Sequence, residues 1–357
     1  MNRKIFQSML AVTVLLLAGC SSKGPDVIDP NSQERRQISL FAIDNGSGFA
    51  ELLRFSEQSG IVTASDYATA NGGEQLDRPV DGIYDYGDRL YLHHRVDGSI
   101  TVLDLETRKK AGRIDGFPYG AEGRLTAMAF SNLSQAWVVC HGAPTLYEVD
   151  QVNMKIAHTV QLPYFPSSVG AVNRTVFVGM VGPDSTGKVG ILSSNPAVLA
   201  IEQTLDFPTP IIYMFPSSDN EQCLMLSAGG NGAGPTIYYV DVATRTVVDE
   251  YELDAPPLLG YIGMQPNYAG YTRDDYLYLA TPSAVIQYDV QVFSALEWII
   301  GSYPVIGVDS YSGLLYAYDP TANIIRRHTF EDEELPEVGV PQRVNAIRFL
   351  GSNRVIR

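Results

Sequence analysis

Few side chains in this sequence are typed and spaced for chemistry. The candidate imidazoles are His93-His94, in RLYLHH, and His141, in VVCHG. Neighbouring residues of a strand point to opposite faces, so His93 and His94 cannot chelate one ion together. His141 falls in a different repeat and would have to meet one of them near a common axis, so no metal site is expected. Carboxylates do not form the Asp-x-Asp-x-Asp run of a calcium loop, and no Gly-x-Ser-x-Gly elbow raises a nucleophile. The run Gly229-Gly230-Asn231-Gly232-Ala233-Gly234 invites a phosphate-loop interpretation. It lacks the following helix and the closing Lys-Ser/Thr that such a loop needs. Two readings stay open for it: a loop admitting close ligand approach, with Asn231 as a polar contact, or a plain long turn. The chemistry expected is therefore binding, with no catalytic residue, no cofactor and no metal.

Residues suited to binding cluster beside prolines. Phe117, Tyr119, Tyr164, Phe165, Phe207 and Tyr303 all stand within three residues of a proline that precedes a short apolar run. The prolines are Pro79, Pro118, Pro166, Pro210, Pro257, Pro304 and Pro341, recurring every 37 to 48 residues or so. A period of that length marks the blades of a β-propeller. Each unit reads as four strands. In the clearest one, Val80–Tyr86 is an inner strand, Gly87-Asp88 turns, Arg89–His94 is the second strand, Asp97-Gly98 turns, Ser99–Leu105 is the third, and Lys109–Ile114 is the outer edge. Alternation with Asp-Gly turns is the hairpin signal. Asp104, Asp150, Asp241 and Asp289 each end a third strand, where a carboxylate accepts hydrogen bonds from its own turn; they are expected to be turn formers.

The predicted fold is all-β: a seven-bladed propeller of four-stranded antiparallel blades. Blade one has only Ser39–Ile43, Gly48–Phe55 and Ile61–Tyr67, while Arg343–Leu350 is a strand without a blade. The C-terminal strand is therefore expected to complete the first blade, since an open ring would leave two raw edges. In such a ring, connections from outer strands to the next inner strands share a face with the loops between strands two and three. The aromatics named above, with His141 and Asn231, would then surround one depression and offer a stacking surface. The competing expectation is that each aromatic caps its own blade.

Arg3 and Lys4, an apolar core from Met9 to Leu17, and Leu17-Ala18-Gly19-Cys20 open the chain. The pattern resembles a bacterial lipoprotein signal, with residues 1–19 removed and Cys20 acylated. Ser21-Ser22 follow in place of Asp, which by the same resemblance implies the outer membrane, with the leaflet open. Residues 20–37 are polar and read as a flexible tether, and residues 38–357 as the ring. The formal net charge is −15, becoming −17 when Arg3 and Lys4 leave with the leader. Such a surface repels nucleic acid and anionic headgroups, so attachment must come from the acyl chains. Cys140 and Cys223 fall in second strands of blades that are not neighbours, beyond disulfide reach, and are expected to be buried free thiols.

The lipobox, the opening Phe41-Ala42-Ile43-Asp44-Asn45-Gly46-Ser47-Gly48, and blade phrases such as Gly87-Asp88-Arg89-Leu90-Tyr91-Leu92 and Ile237-Tyr238-Tyr239-Val240-Asp241-Val242-Ala243-Thr244 carry a resemblance. Through them, and the ending Val338-Gly339-Val340-Pro341, residues 38–350 resemble the YVTN or YncE-like seven-bladed propellers. The narrower likeness is to the secreted lipoprotein branch with the BtuG-like surface proteins. That resemblance implies a non-enzymatic, lipid-anchored binder at the outer membrane. In the best-understood case it captures vitamin B12 over a TonB-dependent transporter; a glycan is the other ligand class. A scaffold subunit of a cell-envelope complex is the alternative, and a lactonase- or lyase-type propeller enzyme finds no clustered acid, base and metal ligands. The phrases around Pro118–Gly123 and SSNPAVLAIEQ depart from the family's turn pattern.

Overall fold

The computed structural model describes residues 38–349 except 45–49, 57–59, 65, 77–78, 81, 95–96, 119–124, 193–198, 218–219, 228, 231, 255–261, 267–274, 290–293, 310–313 and 330–332. The leader, Cys20 and the tether lie outside the described residues. Twenty-eight strands form seven four-stranded antiparallel sheets. β1 (Ile38–Asp44), β2 (Ala50–Ser56) and β3 (Ile61–Thr63) belong to blade 1. Blade 2 holds β4 (Gly82–Tyr86), β5 (Arg89–His94), β6 (Ser99–Asp104) and β7 (Lys110–Ile114). Blade 3 holds β8 (Leu125–Asn132), β9 (Gln135–Cys140), β10 (Thr145–Asp150) and β11 (Lys155–Gln161). Blade 4 is β12 (Phe165–Val172), β13 (Thr175–Val181), β14 (Gly187–Leu192) and β15 (Ile201–Phe207); blade 5 is β16 (Ile211–Pro216), β17 (Gln222–Ser227), β18 (Thr236–Asp241) and β19 (Thr246–Glu252). Blade 6 is β20 (Ile262–Pro266), β21 (Asp275–Ala280), β22 (Ala284–Asp289) and β23 (Ser294–Ile300), and blade 7 is β24 (Val305–Asp309), β25 (Leu314–Asp319), β26 (Ile324–Thr329) and β27 (Glu334–Gly339). The last strand, β28 (Val344–Phe349), pairs with β1 and becomes the inner strand of blade 1, as the sequence leads one to expect.

Every inner strand follows one of the seven prolines or, at Pro166, contains it; Pro257 itself lies outside the described residues. Proline has no N–H to give a ladder, so it suits the first residues of a strand. At Pro166 the register shifts before Ser168, which accommodates the missing donor.

The ring is held by apolar clusters between blades. Strand period two divides each second strand between two neighbours. In β9, Ala136, Val138 and Cys140 pack toward blade 2, and Trp137 and Val139 toward blade 4. In β17, Cys223 and Met225 face blade 4 while Leu224 and Leu226 face blade 6. The same alternation in β25 sends Leu315 and Ala317 to blade 6, and Leu314, Tyr316 and Tyr318 to blade 1. Second strands buried on both faces explain the continuous apolar runs RLYLHH, AWVVC and LLYAY. Both thiols are free and buried, as expected.

Closure has a polar latch as well. Arg348 of β28 forks onto Asp85 of β4, whose side chain is almost wholly buried. The strand that completes blade 1 is thereby tied to blade 2.

One expectation changes. The strand expected over Ile61–Tyr67 stops at Thr63, and Asp66–Ala70 is a short helix, α1. Asp66 pairs with Arg108 of blade 2 at 2.9 Å, Tyr67 is buried between blades 1 and 2, and Asn71 receives the Lys110 N–H at 2.8 Å. These contacts fold the connection onto the next blade instead of extending the sheet. Blades 3 and 4 are four-stranded like the others, as expected; residues 119–124 and 193–198, within or beside their irregular phrases, lie outside the described residues. No helix among the described residues is long and apolar enough to cross a membrane.

Candidate functional site

The face carrying the outer-to-inner connectors is built by one repeated device. In five blades the connector backbone extends the outer hairpin by donating an N–H to the loop between strands two and three of its own blade, four of them being Phe117 to Gly98 O (3.3 Å), Leu162 to Pro144 O (2.8 Å), Leu253 to Pro235 O (2.7 Å), and Val340 to Asn323 O (3.1 Å). Gly301 does the same to Ser283 O at 2.8 Å. Gly98 holds φ +62° and has no room for a Cβ against the Phe117 carbonyl, which explains the Asp-Gly turn there. One side chain per connector then drops into the cluster between its blade and the next. These are Val80 between blades 1 and 2, Phe117 (2–3), Leu162 (3–4), Phe207 (4–5), Leu253 (5–6), Tyr303 (6–7) and Val340 (7–1).

This corrects three of the expected stacking residues. Phe117, Phe207 and Tyr303 are 2%, 4% and 5% exposed. Phe117 meets Tyr147 edge-on at 5.4 Å, and Phe207 meets Tyr238 at 4.8 Å. Tyr303 donates its hydroxyl to Ile300 O at 3.2 Å, and burial pushes its pKa up. Rings whose faces and edges are already covered cannot stack on a ligand. They are plugs, and the aliphatic Leu162, Leu253 and Val340 fill equivalent places; these plugs went unnoticed in the sequence because no aromatic marks them. Tyr119 and Asn231 lie outside the described residues.

Phe165 is different. Leu162 fills the plug position of its connector, and Tyr164 packs half-buried beside it. Phe165 is therefore left as the first residue of β12, paired in register with Val181 at the end of β13. They are 52% and 38% exposed, side by side on the connector face. Beyond Val181 the chain makes a tight turn: Gly182 N–H donates to Thr186 O (2.8 Å), Thr186 Oγ1 donates to Pro183 O (2.8 Å), and Asp184 and Ser185 both take left-handed φ, 56° and 59°. Consecutive left-handed non-glycine residues are strained backbone. His141 is exposed on the neighbouring turn of blade 3, whose Pro144 carbonyl accepts the Leu162 N–H. Of the predicted residues, the structure thus brings His141, Tyr164 and Phe165 into one sector over blades 3 and 4.

The other chemical candidates have structural duties. His94 is buried, with Nε2 2.8 Å from Thr101 Oγ1 and Nδ1 3.2 Å from the Pro79 carbonyl. His93 faces the other way, into a pocket with Tyr84, Ile100 and Met128. Among the described residues no three His, Cys, Asp or Glu side chains are grouped to hold a metal. The aspartate row forms turns: Asp104 Oδ1 accepts the Thr107 N–H and Oγ1 at 2.7 Å each, Asp150 Oδ1 the Asn153 N–H at 3.0 Å, and Asp241 Oδ1 the Thr244 N–H at 2.6 Å. Hydrogen bonds from Thr107, Asn153 and Thr244 lower these carboxyl pKa values. Asp289 ends β22, and its turn lies outside the described residues. Asp319 builds the same kind of turn at the end of a second strand, with Thr321 N–H at 2.9 Å. In the glycine-rich run, Gly230 and Ala233 exchange backbone hydrogen bonds of 2.9 Å, closing a tight hairpin tip. Burial pushes the Cys140 thiol up to about 12 and Cys223 higher still.

No family model matches the sequence, and no curated protein aligns with it. Solved structures do resemble the ring. A candidate 6-phosphogluconolactonase of Bacteroides fragilis is 11% identical with a TM-score of 0.63, covering 90% of this chain and 99% of its own. Kuenenia stuttgartiensis hydrazine synthase is 11% identical with a TM-score of 0.60, over 75% of this chain and 88% of its own. A dihydro-heme d1 dehydrogenase is 12% identical at 0.59, over 89% and 76%. At such identity the likeness establishes the propeller fold alone, a fold that hosts enzymes and non-enzymes alike.

Proposed function

We propose that this chain is an outer-membrane lipoprotein of the YncE- and BtuG-like kind that binds a ligand on its connector face without transforming it, as capture partner of a TonB-dependent transporter. The observation that carries the reading is Phe165. Where equivalent connectors spend their large side chains on the inter-blade clusters, this one leaves an aromatic ring open beside Val181 on a braced turn. An exposed ring on rigid backbone offers stacking area at little entropic cost, as a planar corrinoid or a sugar face requires. The Leu17-Ala18-Gly19-Cys20 pattern supports the lipid address.

Two measurements test it. Palmitate labelling in a Gram-negative host is expected to require Cys20 and to vanish in Cys20→Ala. Calorimetry of the full chain against cobalamin, cobinamide and a set of oligosaccharides is expected to find a ligand whose affinity falls at least tenfold in Phe165→Ser, roughly the worth of one stacked ring. Absence of any ligand, or indifference to Phe165, overturns the binding reading.

One observation favours the scaffold alternative. The outer strand β19 is exposed nearly throughout and carries Val247 and Val248 outward, an edge that a neighbouring protein could cover. Recovery of a multi-protein assembly lacking a transporter, lost in Val248→Lys, would decide for it.

A further inference from the structure

Blades 6 and 7 part at their outer side. Between blades 2 and 3 the corresponding space is closed by Ile114, Met154 and Ile156. Between blades 6 and 7 a groove of about 640 Å³ opens instead, within the size range of small-molecule sites. One wall is the end of β23, where Ile300 is 76% exposed. The other is β26, which sends Arg327 toward blade 1, over the Phe55 and Tyr316 rings, and lines the groove with Arg326 and His328.

Arg326 sits in a row of carboxylates. Its Nη2 is 3.3 Å from Asp319 Oδ2, and its Nη1 is 3.3 Å from Glu334 Oε1 and 2.9 Å from Glu337 Oε1. Two of these three contacts are longer than a usual charged hydrogen bond, so a hydroxyl can enter without breaking a strong one. Donor and acceptor alternate along the wall within a few ångströms. A vicinal diol matches that alternation, because one hydroxyl accepts from the guanidinium while its neighbour donates to a carboxylate. Opposite, Ile299 packs on the cluster between the two blades and offers an apolar surface for the C–H face of a ring, with Ile300 at the lip. The three carboxylates outnumber Arg326, so a polyamine is the competing occupant that the test must separate.

We propose that the groove between blades 6 and 7 is a saccharide-binding site. It stands apart from the Phe165 rim and depends on different residues, so either can fail alone. The test is calorimetry of the full chain in a detergent without sugar headgroups, against maltotriose, cellotriose, mannotriose, chitotriose and, as a cationic probe, spermidine. One trisaccharide is expected to bind, to weaken at least tenfold in Arg326→Gln and in the surface variant Ile300→Asp, and to be unchanged in Phe165→Ser. No trisaccharide binding, binding indifferent to both groove variants, or binding of spermidine alone overturns the proposal. Far-ultraviolet circular dichroism confirms that each variant is folded, and Ile300→Asp carries the test if Arg326→Gln is not.

Discussion

Phe207 and Phe165 stand at the two ends of blade 4's path, one closing its outer strand and one opening its inner strand, yet they meet opposite fates. Phe207 ends β15 and is buried against Tyr238 of blade 5; Phe165 begins β12 and faces solvent beside Val181. Residue type does not separate them. What separates them is whether another side chain has already filled the top of the adjoining cluster. Leu162 has done so beside Phe165, whereas nothing substitutes for Phe207. A connector aromatic is thus a structural plug by default, and becomes available for binding when a neighbour takes its place.

The comparison breaks first on stability. Phe207→Ala is expected to cost about 3–5 kcal/mol in urea unfolding, because it leaves a cavity in a packed cluster. Phe165→Ala is expected to cost about 0.5 kcal/mol or less, as surface changes do. Equal losses would remove the distinction. A sharper version uses the aliphatic plug: Leu162→Ala should cost about 2–4 kcal/mol despite sitting only three residues from Phe165. A milder probe reads the clusters through their thiols. Cys140 and Cys223 pack within the clusters flanking blades 3 and 5, and burial raises both pKa values, so maleimide should label them only after unfolding, as mass mapping would reveal. Labelling of the folded chain would mean that the inter-blade clusters open.

The smallest effect separates the connector face from the turn-bearing face opposite. Asp104, Asp150 and Asp241 have lowered pKa values in the folded chain, so they bind protons less readily there than when unfolded. Their contribution is present above the ordinary carboxyl pKa of about 4 and fades as pH falls through the lowered folded values. Each group is only partly buried and screened by solvent, so the loss is small. The Phe207→Ala deficit should stay constant over the same acid range, since the ring's partner Tyr238 does not titrate there. A deficit that shrinks in acid would couple the two faces.

Much of the ring was legible because its signals are local. A proline needs no ladder partner, so each marks the start of an inner strand whatever lies across from it. An aspartate at a strand end makes its own turn, which is why Asp104, Asp150 and Asp241 read correctly; Asp319 escaped because it closes a second strand, where no such row was sought. The plugs were not legible, for their role depends on the cluster beneath them and is served equally by Phe207, Tyr303, Leu162 or Val340. Helix α1 is likewise fixed from outside, by Arg108 on Asp66 across the blade boundary. The wall of Arg326 and the lip of Ile300 lie on different blades, and their juxtaposition exists only in the closed ring.

Closure also decides how a membrane-tethered molecule would bear load. The chain enters the ring at β1, which is hydrogen-bonded to β2 on one side and to β28 on the other. A pull on the residues before Ile38 would therefore act along two ladders at once, in shear, and could not peel a free margin one bond at a time. An anchor attached to the outermost strand would unzip under tension; one attached at β1 would grip the sheet from within.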